Sequence, residues 1–205
     1  MPGVERLQDR FRSAHTQVLG ISVDSHFTHA GWAVSLGGIS FPLLADFHEK
    51  GAVAKDYGLF LDAAGITDRA TVIIDADGVV QHASSVTPAG SRDIEELAGL
   101  CEGVDKAYSG SLADYSAADS LESDATLYVK SSCGFSVWAM QARENLHLQD
   151  RVALKNVSED ADAAKKLNDA GGKDQAPCLV VGGKAIFESA DIIRHLVSAT
   201  TDIAG

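Results

Sequence analysis

The chain has 205 residues, 45% of them hydrophobic and 22% charged, with a formal net charge of -12; this is a globular balance at a length that allows one large domain or two small ones. The acidity and the lack of any Lys/Arg cluster argue against a nucleic-acid partner, since phosphate backbones are held by clustered cations. No apolar run reaches the ~18 residues of a membrane span and no basic-then-apolar leader follows Met1, so the expected address is cytoplasmic, with no membrane partner. Three widely spaced cysteines suit reduced thiols with individual roles better than a secreted disulfide framework.

The first half alternates strand and helix signals. Residues 17–22 (QVLGIS) form a β-rich apolar run, 26–38 read as a helix ending on Gly37 and Gly38, and 41–46 (FPLLAD) form a second short strand. Residues 51–60 are helical in pattern. ATVIID and VVQHAS, joined by Ala76-Asp77-Gly78, give a hairpin signal with its Asp-Gly turn. A helix over 91–103 places Ile94, Leu97 and Cys101 on one stripe, which assigns Cys101 to the core as a small hydrophobe.

Residues 105–123 are rich in Ser, Ala and Asp and read as a linker between a domain at 1–104 and another at 124–205. Charge is unevenly shared across that seam. Before Asp124 there are 8 Lys and Arg against 18 Asp and Glu, and from Asp124 onward 9 against 11.

The second half has the order β-α-β-α-β-β-α. ATLYVK (125–130) reads as a strand, followed by a loop holding Cys133 and a helix with Trp138, Ala142 and Leu146 at four-residue spacing. VALKNV is the next strand, and 158–172 a helix with Ser158 as N-cap and Gly171 as its stop. CLVVGGKAIFES reads as a hairpin around Gly182-Gly183, and 189–200 as a helix capped by Ser189.

Cys133 is the residue to which the chemistry attaches. A cysteine at the mouth of a helix meets unpaired N–H groups and the positive end of the helix dipole, both of which favour the thiolate. Lys130 adds positive charge nearby. Position 136 is Ser, so no second thiol stands at the Cys-x-x-Cys distance and an external thiol must complete the exchange. Cys178 opens an apolar run and is expected as a buried structural thiol. His26 and His29, three apart with no further ligand, are expected to pack or face solvent, and no metal site is expected. Adjacent Asp24, Ser25 and His26 cannot converge as a triad.

YVKSSCGFS, DQAPCLVVGGKAIFES and SADIIRHL occur in the order found in glutaredoxins, so residues 124–200 resemble a glutaredoxin with a tail similar to the amino-terminal domain of glutathione transferases. That resemblance implies that Cys133 exchanges with glutathionylated or disulfide substrates and that glutathione is a co-substrate, with no tightly bound cofactor. It also implies that Lys130 and Lys173 hold glutathione carboxylates and that Ala176, before a cis Pro177, pairs its backbone with the peptide. Glu188 and Ser189 would receive the γ-glutamyl end, in keeping with the anion affinity of helix N-termini. Cys133-Gly134-Phe135-Ser136 is also the signature of monothiol glutaredoxins that share an iron-sulfur cluster between subunits. Here only Ser131-Ser132 separates lysine from cysteine and KDQAP replaces the Trp-Pro pattern; a cluster carrier is therefore the alternative, as is a redox-inactive adaptor, and thiol exchange leads.

Residues 1–105 resemble a peroxiredoxin through VLGISVDSHFTHAGWA, FPLLADF and VAKDYGLFLDAAGITDRATVIIDADGVVQH. The resemblance implies two thioredoxin-like α/β modules, the first lacking its early central strand, in a protein linked to peroxide detoxification and redox homeostasis. The family's peroxide-reducing cysteine lies upstream of VLGIS, so peroxidase activity is not expected of this chain alone, and Arg69 matches an arginine that steadies that thiolate. Three accounts of the missing strand stay open: a shortened form of a longer fusion, rearrangement of VERLQDRF over the gap, or a homodimer that donates a strand.

Overall fold

The computed structural model describes residues 1–112 and 120–201. The chain divides into two compact units, Met1–His29 with Phe41–Tyr115, and Ala30–Ser40 with Ser116–Gly205. Of the segment 105–123 read as a linker, 113–119 lie outside the described residues.

The first unit begins with two short helices, α1 (Pro2–Arg6) and α2 (Gln8–Ser13), followed by β1 (Gly20–Ser22) and the start of α3 (His26–Ser35). Next come β2 (Leu43–Ala45), α4 (Ala52–Asp56), β3 (Phe60–Leu61), β4 (Ile66–Thr67), β5 (Ala70–Ile74), β6 (Val80–Ser85) and α5 (Ile94–Ala107). Its strands do not make one sheet. β1 pairs in parallel with β2, β3 with β4 and β5 with β6 antiparallel, and among the described residues no ladder joins these pairs. Among the described residues no strand links the β1–β2 pair to the β5–β6 pair, in keeping with the expected lack of the central strand. Residues 4–11, VERLQDRF, run across α1 and α2 with a turn at Leu7, and Phe11 (4% exposed) packs with Ala14, Ile73, Ala98 and Cys101. Arg10 ties α2 to α5 through Glu95 and Glu102.

Local chemistry explains most boundaries in this unit. Asp75 Oδ1 accepts the N–H groups of Asp77 (3.0 Å) and Val79 (2.9 Å), which builds the turn between β5 and β6. Asp93 caps α5 by accepting Glu96 N–H at 3.0 Å. That helix runs past its expected end at 103, so 105–107 belong to it rather than to a linker. The helix expected over 51–60 ends at Asp56; Phe60 and Leu61 pair with Thr67 and Ile66. A two-residue strand carries too few residues for a period-2 signal.

The second unit is built around a four-stranded mixed sheet in the order β10-β9-β7-β8. Its elements after the seam are β7 (Thr126–Val129), α6 (Gly134–Asn145), β8 (Ala153–Asn156), α7 (Ala161–Gly171), β9 (Cys178–Val181), β10 (Lys184–Phe187) and α8 (Ser189–Thr200). β7 runs parallel to β8 and antiparallel to β9. Alternation along β7 and β9 splits the interior into two layers. Leu127 and Leu179, register partners with no exposed surface, face Ala139 of α6 and Ile192 and Leu196 of α8. Tyr128 and Cys178 face Ala163 and Leu167 of α7. Gly182 (φ 54°) and Gly183 (φ 70°) adopt the left-handed pair that a two-residue hairpin requires. Leu121 is buried against the first layer and Ser120 N–H donates to Ala199 O, so the C-terminal end of the expected linker is part of this core.

Three expectations about helices in this unit are corrected. The buried face of α6 is Ser136, Ala139 and Arg143, while Trp138 and Ala142 are half-buried. Leu146 packs against the core, and Arg143 points inward, donating from Nε to Val152 O at 2.7 Å and from Nη2 to Gln149 O at 2.8 Å. Asp160 rather than Ser158 caps α7, accepting Ala163 N–H at 3.0 Å, and Gly172 (φ 70°) rather than Gly171 stops it. Ser189 is the first residue of α8 and is not its cap; Glu188 holds the N-cap position without a side-chain cap bond.

Candidate functional site

Cys133 is the N-cap residue of α6, half-exposed and unpaired with any other cysteine. It leaves β7 through Lys130, Ser131 and Ser132, the last at φ 57°. This short loop is pinned from the neighbouring chain segment. Ser131 N–H donates to Ser158 Oγ (3.1 Å), Asn156 Nδ2 donates to Ser131 Oγ (2.8 Å) and to Glu159 Oε1 (2.7 Å), and Ser158 N–H donates to Asn156 Oδ1 (3.0 Å). Ser158, expected as a helix cap, serves this loop instead.

The electrostatics at the helix mouth favour a thiolate. The Ser136 hydroxyl is the largest cause, followed by the Ser136 backbone N–H, with Phe135 N–H and the charge of Lys130 adding to it; burial opposes. Together they hold the Cys133 thiol below its ordinary pKa. Ser136 is fully buried and its Oγ also accepts Lys130 N–H at 3.1 Å, which fixes the hydroxyl where the helix begins. Sequence reasoning took Ser136 only as the lack of a second thiol. Its place three residues after an N-cap, where side chain and N–H turn back toward the cap, was the available signal.

The other thiols have opposite surroundings. Burial pushes Cys178 up to about 11 and also raises Cys101, so both stay protonated near neutrality. Each lies in a core cluster, as expected. His29 is buried with Nε2 2.8 Å from Ser22 Oγ, a packing role. Arg69 is exposed, and its charge adds to burial in lowering the pKa of Arg92.

The remaining expected site residues fall on two connected segments. Lys130 Nζ donates to Asp174 O (3.3 Å) and lies 3.2 Å from Asp174 Oδ1. The Ala176-Pro177 peptide is cis and leads directly into β9. Gln175 Nε2 donates to Glu188 Oε1 at 2.8 Å, tying this loop to the start of α8, where Ser189 is buried. The Lys173 ammonium sits 3.9 Å over the Phe187 ring. Phe135 is 58% exposed beside Cys133, edge-on to Trp138 with ring centroids 5.4 Å apart, giving the thiol an apolar rim. Asp174 and Asn156, which the sequence did not single out, are thus the polar groups that organise Lys130 and the Cys133 loop.

Comparison with known proteins gives two separate matches along the chain. Residues 1–83 match the AhpC/TSA family and residues 125–186 match Glutaredoxin. Over 100 residues the chain is 38% identical to the mitochondrial thioredoxin-dependent peroxide reductase of Drosophila melanogaster, covering 45% of this chain and 41% of that protein. It is 38% identical over 93 residues to alkyl hydroperoxide reductase E of Mycobacterium tuberculosis, covering 44% and 60%. Among solved structures, Mycobacterium tuberculosis AhpC aligns at 28% identity with a TM-score of 0.46, covering 50% of this chain and 61% of that one. The chain spans between 36% and 60% of the length of these and similar curated relatives. Both matched segments belong to families of thiol oxidoreductases.

Proposed function

From a chain that joins an AhpC/TSA-type, peroxiredoxin-like segment to a glutaredoxin domain, we propose that the working reaction is glutathione-dependent monothiol exchange at Cys133. The observation that carries this reading is a half-exposed thiol at a helix N-cap whose anion is favoured by Ser136, two backbone N–H groups and Lys130.

The reaction follows from that geometry. The Cys133 thiolate attacks the glutathione sulfur of a mixed disulfide; a Cys133–glutathione disulfide forms as the old S–S bond breaks, and the substrate leaves as a thiolate that takes a proton from water. A second glutathione thiolate then attacks the glutathione sulfur, releasing oxidised glutathione and restoring the Cys133 thiolate. In net, one glutathione thiol is oxidised into oxidised glutathione and the substrate sulfur is reduced to a thiol. Buried, protonated Cys178 is no resolving thiol near neutrality.

In the bound state Lys130 would pair with a glutathione carboxylate, and the backbone of Ala176 before Pro177 would pair with the peptide. The first turn of α8 at Glu188 and Ser189 would receive the γ-glutamyl end. Lys173 would join only by leaving Phe187. The peroxiredoxin-like segment suggests thiol substrates connected with peroxide removal in a reducing, cytoplasmic setting, and a homodimer through that segment. The test is a coupled assay with a glutathione mixed disulfide, comparing wild type with Cys133→Ser. Turnover in the first and none in the second is the expected result; equal turnover would sink the assignment.

A further inference from the structure

Lys130 is the cation nearest the thiol in sequence and the one that adds to its acidity, yet it is already engaged. Its ammonium contacts both the side-chain carboxylate and the backbone carbonyl of Asp174. An ammonium has three donors, so at least one remains for a substrate. The charge balance is a different matter. The Asp174 carboxylate is 65% exposed and stands against Lys130, so a carboxylate arriving at Lys130 meets a fixed negative charge as well as a positive one. Lys173, one residue away in sequence, has its ammonium over Phe187, and Gln175 is held by Glu188, itself an anion.

We propose that Asp174 is a specificity-determining residue, which restrains Lys130 and tempers how strongly that ammonium favours disulfides that bring it a free carboxylate. This deepens, and rests on, the reading of Cys133 as a glutathione-exchanging thiol. Asp174 touches neither sulfur nor the thiol; it acts through the potential around Lys130. Two unit charges several ångströms apart in a largely solvated setting interact by an amount worth about threefold in rate or affinity. Because both groups face solvent, added salt screens the effect.

The test uses the full chain with Asp174→Asn, which keeps the size and the backbone carbonyl, and Lys130→Gln as the opposite change. Cys133 is alkylated with iodoacetate, an anion, and iodoacetamide, its neutral counterpart, and the ratio of the two rates reports local potential independently of any turnover. The ratio is expected to rise about threefold in Asp174→Asn, to fall in Lys130→Gln, and to converge on the wild-type value above about 0.5 M salt. In parallel, kcat/KM for a glutathione mixed disulfide should rise about threefold in Asp174→Asn through KM with kcat unchanged, while the counterpart with its glycine carboxylate amidated should not respond. An unchanged alkylation ratio with normal turnover overturns the proposal alone. A raised ratio with no turnover on either disulfide overturns the exchange reading and leaves the charge effect of Asp174 established. Equal responses of the acid and amide substrates overturn the specificity.

Discussion

The two units carry related patterns of strand and helix, yet only one closes its sheet. In the second, four strands are continuous and the largest fully buried side chains of the described residues, Leu127, Leu167, Leu179, Ile192 and Leu196, all belong to it. In the first, the ladders stop at pairs, and Leu19, Ile21, Leu44, Phe47, Ile74 and Val80 are 41% to 60% exposed. Ile21 and Leu44 are register partners, so the exposed apolar surface is a sheet face and not scattered residues. The difference teaches what a middle strand does: it gives both of its neighbours a partner and supplies the layer against which helices pack. Without it, α2 and α5 gather a small core around Phe11 and Ile73 while β1 and β2 keep an open face.

The sharpest way to break the comparison is functional. If chemistry resides in the second unit alone, Cys133→Ser should lower mixed-disulfide turnover a hundredfold or more, whereas Cys101→Ala should leave it within about twofold; steady-state assays of both decide it. Next comes stability. Leu179→Ala, at a fully buried site between β7 and β10, should cost about 3 kcal/mol by urea titration, and Ile21→Ala, 41% exposed, under about 0.5 kcal/mol. Hydrogen exchange should agree, with the amides of β7 and β9 exchanging far more slowly than those of β1 and β5.

Smaller effects test the thiols. Ser136→Ala removes the largest stabiliser of the thiolate, so the midpoint of Cys133 alkylation against pH should move up and the rate at pH 7 fall several-fold. For Cys178 the sign is opposite. Its folded pKa, about 11, lies above the ~8.5 of an unfolded thiol, so its contribution is present below that value and is lost as pH rises toward 11, where the unfolded chain ionises first. Stability should decline across that window, and Cys178→Ala should flatten the decline.

Much of this was legible in the sequence, for identifiable reasons. Short apolar runs marked β5, β7 and β9, and Asp77-Gly78 and Gly182-Gly183 marked the turns into β6 and β10. Cys133 was legible because a thiol between a strand and a helix has few other uses. The departures share a cause: a side chain whose role depends on a distant partner. Ser158 reads as a cap until it meets Ser131, and nothing in the sequence singles out Arg143 before its bonds to Val152 and Gln149, or Asp174 before its contact with Lys130. Two-residue strands such as β3 carry no readable period.

The uneven acidity of the chain acquires a colloidal meaning once the open sheet face is known. Unpaired strand edges beside apolar surface are templates for association, and like charge is the common defence. Here the excess of Asp and Glu falls in the same half as Ile21, Leu44 and Phe47. Like charge in that half opposes indiscriminate association at the open face, beyond any specific dimer, and the opposition weakens as pH falls toward the pI of about 4.8 or as salt screens it. Light scattering against pH and ionic strength would show turbidity rising as pH falls toward the pI or as salt is added, at conditions where the buried leucines of the second unit remain protected from hydrogen exchange.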